Sequence, residues 1–228
     1  MQTLAEKFFT TREQEEITRT VQRVEQQTSG EIVPMVVSAS HTYPEAELTG
    51  ATVLALPLTL VAALAIRSLF WWQGELLWLF LALLPLFFAG ARLLVRHPVL
   101  LRLFLSSERA AAEVERAAFT HFYAAGLQAT RDATGVLIYI SVLEHRVWIL
   151  GDRGINELLP PRTWEEAVSR LTEGIREKRQ GAALCAAIEE IGTLLRTHFP
   201  LKQDDRNELS DLIIGEKGTR GGHGLIVK

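Results

Sequence analysis

The chain has 228 residues, with 24 lysines and arginines against 27 acidic residues, a formal net charge of −3 and a hydrophobic fraction of 48%. A net negative charge argues against nucleic acid as a general partner, and the single Cys185 excludes an internal disulfide. The hydrophobic fraction is ordinary for a globular protein, so the information lies in where the apolar residues gather.

At the start, Met1–Lys7 lacks a basic region followed by an apolar core and does not read as a cleaved signal. Residues 1–9 read as a short helix with Leu4, Phe8 and Phe9 on one side, docked on the domain or touching lipid. Thr10 and Glu13 fit a capping box. It opens a helix whose face is Ile17, Val21, Val24 and Thr28, with Gly30 as its stop. Glu31–Ser38 follows as a strand, apolar without alternation and so expected to be buried on both faces. Pro34 cannot donate to a ladder, which predicts an edge position or a bulge. His41-Thr42-Tyr43-Pro44 reads as a turn.

Ala51–Phe70 and Leu76–Val95 are two apolar runs, each about 30 Å long as a helix, the thickness of a bilayer core. Only Trp71–Glu75 separates them, which predicts a transmembrane hairpin. Neither run has the polar face of a soluble helix, and Pro57 and Pro85 are tolerated in membrane helices. Trp71, Trp72 and Trp78 gather at the turn, where Arg67 can snorkel, while Arg92 and Arg96 flank the far end; these six are the expected membrane interface. Arg92, Arg96 and Arg102 outnumber Arg67, so a two-pass topology with both termini and the soluble part in the cytoplasm is expected. Residues 97–105 read either as an interfacial segment or helix extension, or as a packed linker. Gly90 and Ala91 offer small residues for close helix approach and leave a homo-oligomer open.

Beyond the hairpin, Ser106 or Ser107 caps a helix to about Ala125 with Val114, Ala118, Phe122 and Ala125 inward. Val136–Val142 and Arg146–Leu150 read as strands, and the gap of Leu143-Glu144-His145 permits only antiparallel pairing. Thr163 and Glu166 fit a second capping box, opening a helix with Trp164, Val168, Leu171 and Ile175 inward. Gln180-Gly181 is read as the interruption before a last helix bearing Leu184, Ile188, Ile191 and Leu195, which Pro200 ends. Cys185 beside that stripe reads as a small apolar filler. Past Pro200 the chain is polar, then Gly-rich from Gly215 to Gly224, and is expected to be a loose tail. The expected organisation is 1–50 and 96–200 as two parts of one α/β domain, 51–95 as the hairpin and 201–228 as the tail.

Gly135-Val136-Leu137-Ile138-Tyr139-Ile140-Ser141 and Glu144–Ile155, with Thr28-Ser29-Gly30-Glu31-Ile32 as a weaker match, resemble the TPM domain family over Thr10–Phe199. The resemblance implies a mixed central sheet with helices on both faces, an αβα sandwich, here interrupted by the hairpin. It also implies a domain often tethered to membranes. Some relatives are described as phosphatases or as binders of divalent cations, and others assist membrane complexes. This chain departs from the family at two places. Asp132-Ala133-Thr134-Gly135 stands where Asp-Asn-Gly is common, and His145 follows Glu144 where a second acidic residue is common.

Asp132, Glu144 and Asp152 flank strand ends, where ligands of open α/β sheets bind. They are the candidate ligands for a hard cation such as Ca²⁺ or Mg²⁺, which needs several convergent oxygens. Solvated turn carboxylates are the competing explanation. His145 could ligate or transfer a proton, though no second histidine stands at ligand spacing. Arg146 and Arg153, with His145, could contact an anion or a partner, or form ordinary salt bridges. There is no HExxH, paired CxxC, P-loop, GxSxG or dinucleotide fingerprint, and Ile191 stands where a thiol phosphatase built on Cys185 needs arginine. Two functions remain. One is a membrane-anchored binding, assembly or maintenance factor for a membrane protein; the other is a divalent-cation-dependent phosphatase-like hydrolase.

Overall fold

The computed structural model describes residues 3–69, 74–130, 133–159, 161–201, 211–215 and 225–226. The chain divides into two units, residues 42–110 and residues 1–41 with 111–228.

The second of these units is built on β1 (Glu31–Val37), every residue of which is buried. β2 (Gly135–Ser141) pairs with it in parallel, Glu31 opposite Gly135 and Val37 opposite Ser141. β3 (Arg146–Gly151) returns antiparallel to β2, as the short turn demands. The sheet runs β3-β2-β1-β4-β5, where β4 is Ile213–Gly215 and β5 is Leu225–Ile226. The loose-tail expectation is therefore corrected at these residues. β4 lies parallel to β1 with Met35 opposite Ile213, and Ile214 is buried. Leu212-Ile213-Ile214 is too short a run to show strand periodicity.

Helices cover both faces, as the mixed αβα sandwich requires. On one side α1 (Thr11–Glu25), α7 (Pro161–Arg176) and α8 (Gln180–His198) pack Ile17, Val21, Leu171, Leu184 and Ile188 against Ile32, Val36, Ile138 and Ile140. On the other, α5 (Ser107–Ala124) packs Val114, Ala118 and Phe122 against Val33, Met35, Leu137 and Tyr139. Alternate strand residues thus serve opposite layers, the period-2 geometry hidden in an unbroken apolar run.

Pro34 is not on an edge strand, because β1 is internal. Backbone direction alternates along a strand, and Glu31 N–H donates toward β2. Pro34 therefore turns its nitrogen to the β4 side, where pairing begins only at Met35. The first half of β1 is a local edge on that side, and there the Glu25 carboxylate accepts the Ile32 N–H at 3.0 Å.

The Thr10–Glu13 capping box is present. Thr163 caps nothing: α7 already starts at Pro161, a favoured first helical position, and Glu166 pairs with Arg162 at 3.0 Å. The α7–α8 break falls at Lys178, whose φ is +59°, not at Gln180-Gly181. Residues 4–8 form turns, not a helix, with Ala5 and Phe9 in the core.

Gly192 lies inside α8, where a Cβ would stand 2.2 Å from Val24 Cγ1 of α1. Gly181, three helical turns earlier, meets Glu13 the same way. Gly192→Ala should lower stability by about 1–3 kcal/mol, the usual cost of overpacking. Chemical denaturation read by tryptophan fluorescence checks this.

The other unit contains α2 (Pro44–Leu69), α3 (Leu76–Val95) and α4 (Pro98–Leu103). Both long helices have the length and hydropathy to cross a membrane, with mean hydropathies of 2.0 and 2.1 over their apolar windows. The seam between them is made of small residues at four-residue spacing: Ala51, Ala55, Thr59 and Ala63 of α2 are all fully buried, and Ala91 of α3 lies beside them. Such residues let helix backbones approach closely. Many large apolar side chains point outward, among them Val61, Leu69, Trp78 and Leu86, while Leu54, Phe87 and Phe88 pack against the seam. Trp71 and Trp72 lie outside the described residues. Arg67 is exposed near the end of α2. Arg92 and Arg96 donate their Nε–H groups to one oxygen of Glu47, at 2.7 and 2.9 Å. Residues 98–103 form a short helix whose residues are all partly or fully exposed.

Candidate functional site

β1 and β2 run parallel, so their carboxyl ends lie together, the place where open α/β sheets bind ligands. The side chains gathered there are Ser40, Tyr139, Ser141 and Glu144, all buried. One Glu144 oxygen accepts the Ser40 N–H at 2.8 Å, and the other accepts the Ser141 hydroxyl. Ser40 Oγ donates to Ser141 Oγ at 2.8 Å and lies 3.2 Å from the Tyr139 hydroxyl. His121 of α5 stacks on the Tyr139 ring with centroids 5.7 Å apart. Its Nε2 is buried with no hydrogen-bond partner among the described residues. Burial holds the His121 imidazole toward its neutral form and pushes the Tyr139 phenol above its ordinary range. His145 and Arg146 continue the same turn, with His145 exposed at a left-handed φ of +52°.

The opposite end of the hairpin carries a separate group. Asp152 N–H donates to Gly135 O at 2.8 Å, and Asp152 Oδ1 caps the short helix α6 (Arg153–Asn156) by accepting Arg153 N–H at 2.7 Å. Asp152 Oδ2 is buried without a hydrogen-bond partner among the described residues. Arg153 Nε–H instead donates to Glu157 at 2.7 Å. Asn156 donates to Gly151 O at 2.6 Å and accepts the Trp164 indole N–H at 3.1 Å. A cleft of about 450 Å³ opens here against Phe119 and Tyr123 of α5.

Residues 103–194 match the family model described as the TPM domain. Over that stretch the chain is similar to the TPM domain. The match takes in α5, β2, β3 and the three helices up to α8, and so both groups of side chains just described except Ser40. The NMR structure of the BA42 protein from the psychrophilic bacterium Bizionia argentinensis is similar, with a TM-score of 0.54 at 20% identity over 92% of this chain and 95% of that one. At that identity the likeness speaks for the fold. No curated protein matches the chain.

Within this α/β unit the expected cation site does not assemble. Glu144 lies in the hairpin turn and Asp152 beyond the far end of β3, roughly 20 Å away at the rise of a strand. Asp132 lies outside the described residues. Among the described residues no three acidic, histidine or cysteine side chains converge as a metal would need. The candidates split instead into Glu144, His145 and Arg146 at one end and Asp152 and Arg153 at the other. Sequence reasoning missed Ser40, Ser141 and Tyr139, whose one local signal was a serine three residues before Glu144. It also missed Phe119 and Tyr123, an aromatic pair at helical spacing.

Proposed function

We propose that this chain is a membrane-anchored TPM domain that faces the cytoplasm and serves as a binding, assembly or maintenance factor for other membrane proteins. The observation carrying this reading is the hairpin itself. Ala51, Ala55, Thr59 and Ala63 of α2 and Ala91 of α3 are buried at the α2–α3 seam, while many large apolar side chains of both helices face outward, which suits lipid as the surrounding solvent. The arginine bias at the root supports the orientation, since Glu47 beside Arg92 and Arg96 counts little in that rule.

Glu75→Cys in a Cys185→Ser background tests the topology. A membrane-impermeant maleimide should label it from outside intact cells, and protection there with labelling in inverted vesicles overturns the orientation. Photo-crosslinking in native membranes tests the role. A stoichiometric membrane-protein adduct is expected; a chain that crosslinks only to lipid overturns it, and a self-adduct would identify a homo-oligomer instead. The hydrolase alternative needs Asp132, Glu144 and Asp152 in one place, and the geometry of Glu144 and Asp152 weighs against that.

A further inference from the structure

We infer that the cleft between α5 and α6 takes the guanidinium of an arginine side chain presented by a protein partner. This rests on the binding-factor reading and says which surface does the binding and what it recognises.

The walls of the cleft are aromatic. Phe119 and Tyr123 are 44% and 60% exposed, and their four-residue spacing on α5 sets both rings on one face. Large aromatic side chains left open beside a cleft offer the face of a π-system, which attracts cations. The opposite wall is acidic. Asp152 Oδ1 is used by the backbone of Arg153, whereas Oδ2 has no donor among the described residues. A buried carboxylate oxygen without a donor is costly, so an occupant of this cleft is selected for N–H groups. Among the described residues lining the cleft the one cation, Arg153, is engaged by Glu157. Asp152 therefore has no cationic partner among the described residues.

The competing occupants fit less well. A hard metal ion wants several oxygens around it, and on the aromatic side Phe119 supplies none and Tyr123 only its single phenol oxygen. A neutral apolar group would leave the Asp152 oxygen without a donor. An ammonium reaches the carboxylate as a point charge but cannot stack. A guanidinium is planar, stacks on an aromatic face and directs two N–H groups in its plane toward a carboxylate. It is the one common side-chain group that satisfies both walls at once.

The test uses the full-length protein in detergent micelles and three fluorescently labelled tripeptides, Gly-Arg-Gly, Gly-Lys-Gly and Gly-Gln-Gly, read by anisotropy. The arginine peptide should bind, the lysine peptide several-fold more weakly, and the glutamine peptide not at all. Tyr123→Ala should weaken the arginine peptide about 3- to 10-fold, the range of a cation–π contact. Asp152→Asn should abolish binding while leaving the fold intact, because asparagine caps a helix as well as aspartate does. Equal binding of the glutamine peptide, no effect of Asp152→Asn, or displacement of the arginine peptide by equimolar Ca²⁺ each overturns the assignment. The same two variants in the membrane crosslinking experiment separate the site from the role. A partner captured by the parent chain and equally by Asp152→Asn leaves the role standing and removes the site. Arginine-peptide binding with no membrane adduct does the reverse.

Discussion

Glu144→Ala should destabilise the domain by about 2–4 kcal/mol, because two buried donors, Ser40 N–H and the Ser141 hydroxyl, lose their acceptor together and water cannot reach them. In a chain of this size that is a fall in melting temperature of roughly 5–15 °C. Glu144→Gln keeps an acceptor for Ser40 and asks only that the Ser141 hydroxyl turn, so its cost should stay near 1 kcal/mol. The pair of variants decides what Glu144 is for. A carboxylate held ready for a cation is a strained group whose removal leaves stability unchanged or raises it. A carboxylate that closes the ends of β1 and β2 is missed when it goes. Thermal unfolding of the detergent-solubilised protein, followed by near-UV circular dichroism, reads the difference. An unchanged or raised melting temperature in Glu144→Ala would reject the structural role.

The division of the candidate carboxylates was within reach of the sequence. Antiparallel pairing follows from the short gap between β2 and β3, and a hairpin returns the chain to where it began. Residues before β2 and after β3 must then share one end, with the turn at the other, so Glu144 and Asp152 could never have met. Grouping all three as strand-end acids used the right local rule without the topology that constrains it. The Ser40–Ser141 contact was out of reach, because it joins residues 101 positions apart and depends on the register of a parallel pair. Helical periodicity found α1, α5, α7 and α8, whose apolar stripes extend over several turns, and apolar runs bounded by breaks found β1, β2 and β3. Pattern reading failed at β4, whose place in the sheet comes from pairing with the carboxyl half of β1, not from any pattern of its own. In the hairpin it saw Gly90 and Ala91 as one small-residue patch. They part company in the fold: Ala91 is in the α2–α3 seam, and a Cβ at Gly90 would touch nothing.

Glu25→Gln should make the protein more stable at alkaline pH and leave it unchanged in acid. Glu25 ends α1 at the free half of β1, shares a hydrogen bond with Glu31 and feels the charge of Asp211, which itself accepts from Gln22 at 2.7 Å. Two carboxyls joined by a hydrogen bond must hold a proton between them. Burial is the first cause of the shift; the two acidic neighbours add to it, and the Ile32 N–H opposes it. The result is a Glu25 carboxyl pushed up from an ordinary 4.5 to about 9. The folded state therefore binds a proton that the unfolded chain releases. Below pH 4.5 Glu25 is neutral in both states and costs nothing. As pH rises toward 9 the unfolded chain gains from ionising and stability is lost, by about 3 kcal/mol at pH 7. Glutamine keeps an oxygen for Ile32 N–H and removes the titration. Melting temperature measured from pH 4 to pH 9 should fall for the parent and much less for the variant, the curves meeting at the acid end. Parallel curves would show that Glu25 ionises in the folded protein as it does in water. The Glu31 and Asp211 charges would then be balanced by something other than a proton on Glu25.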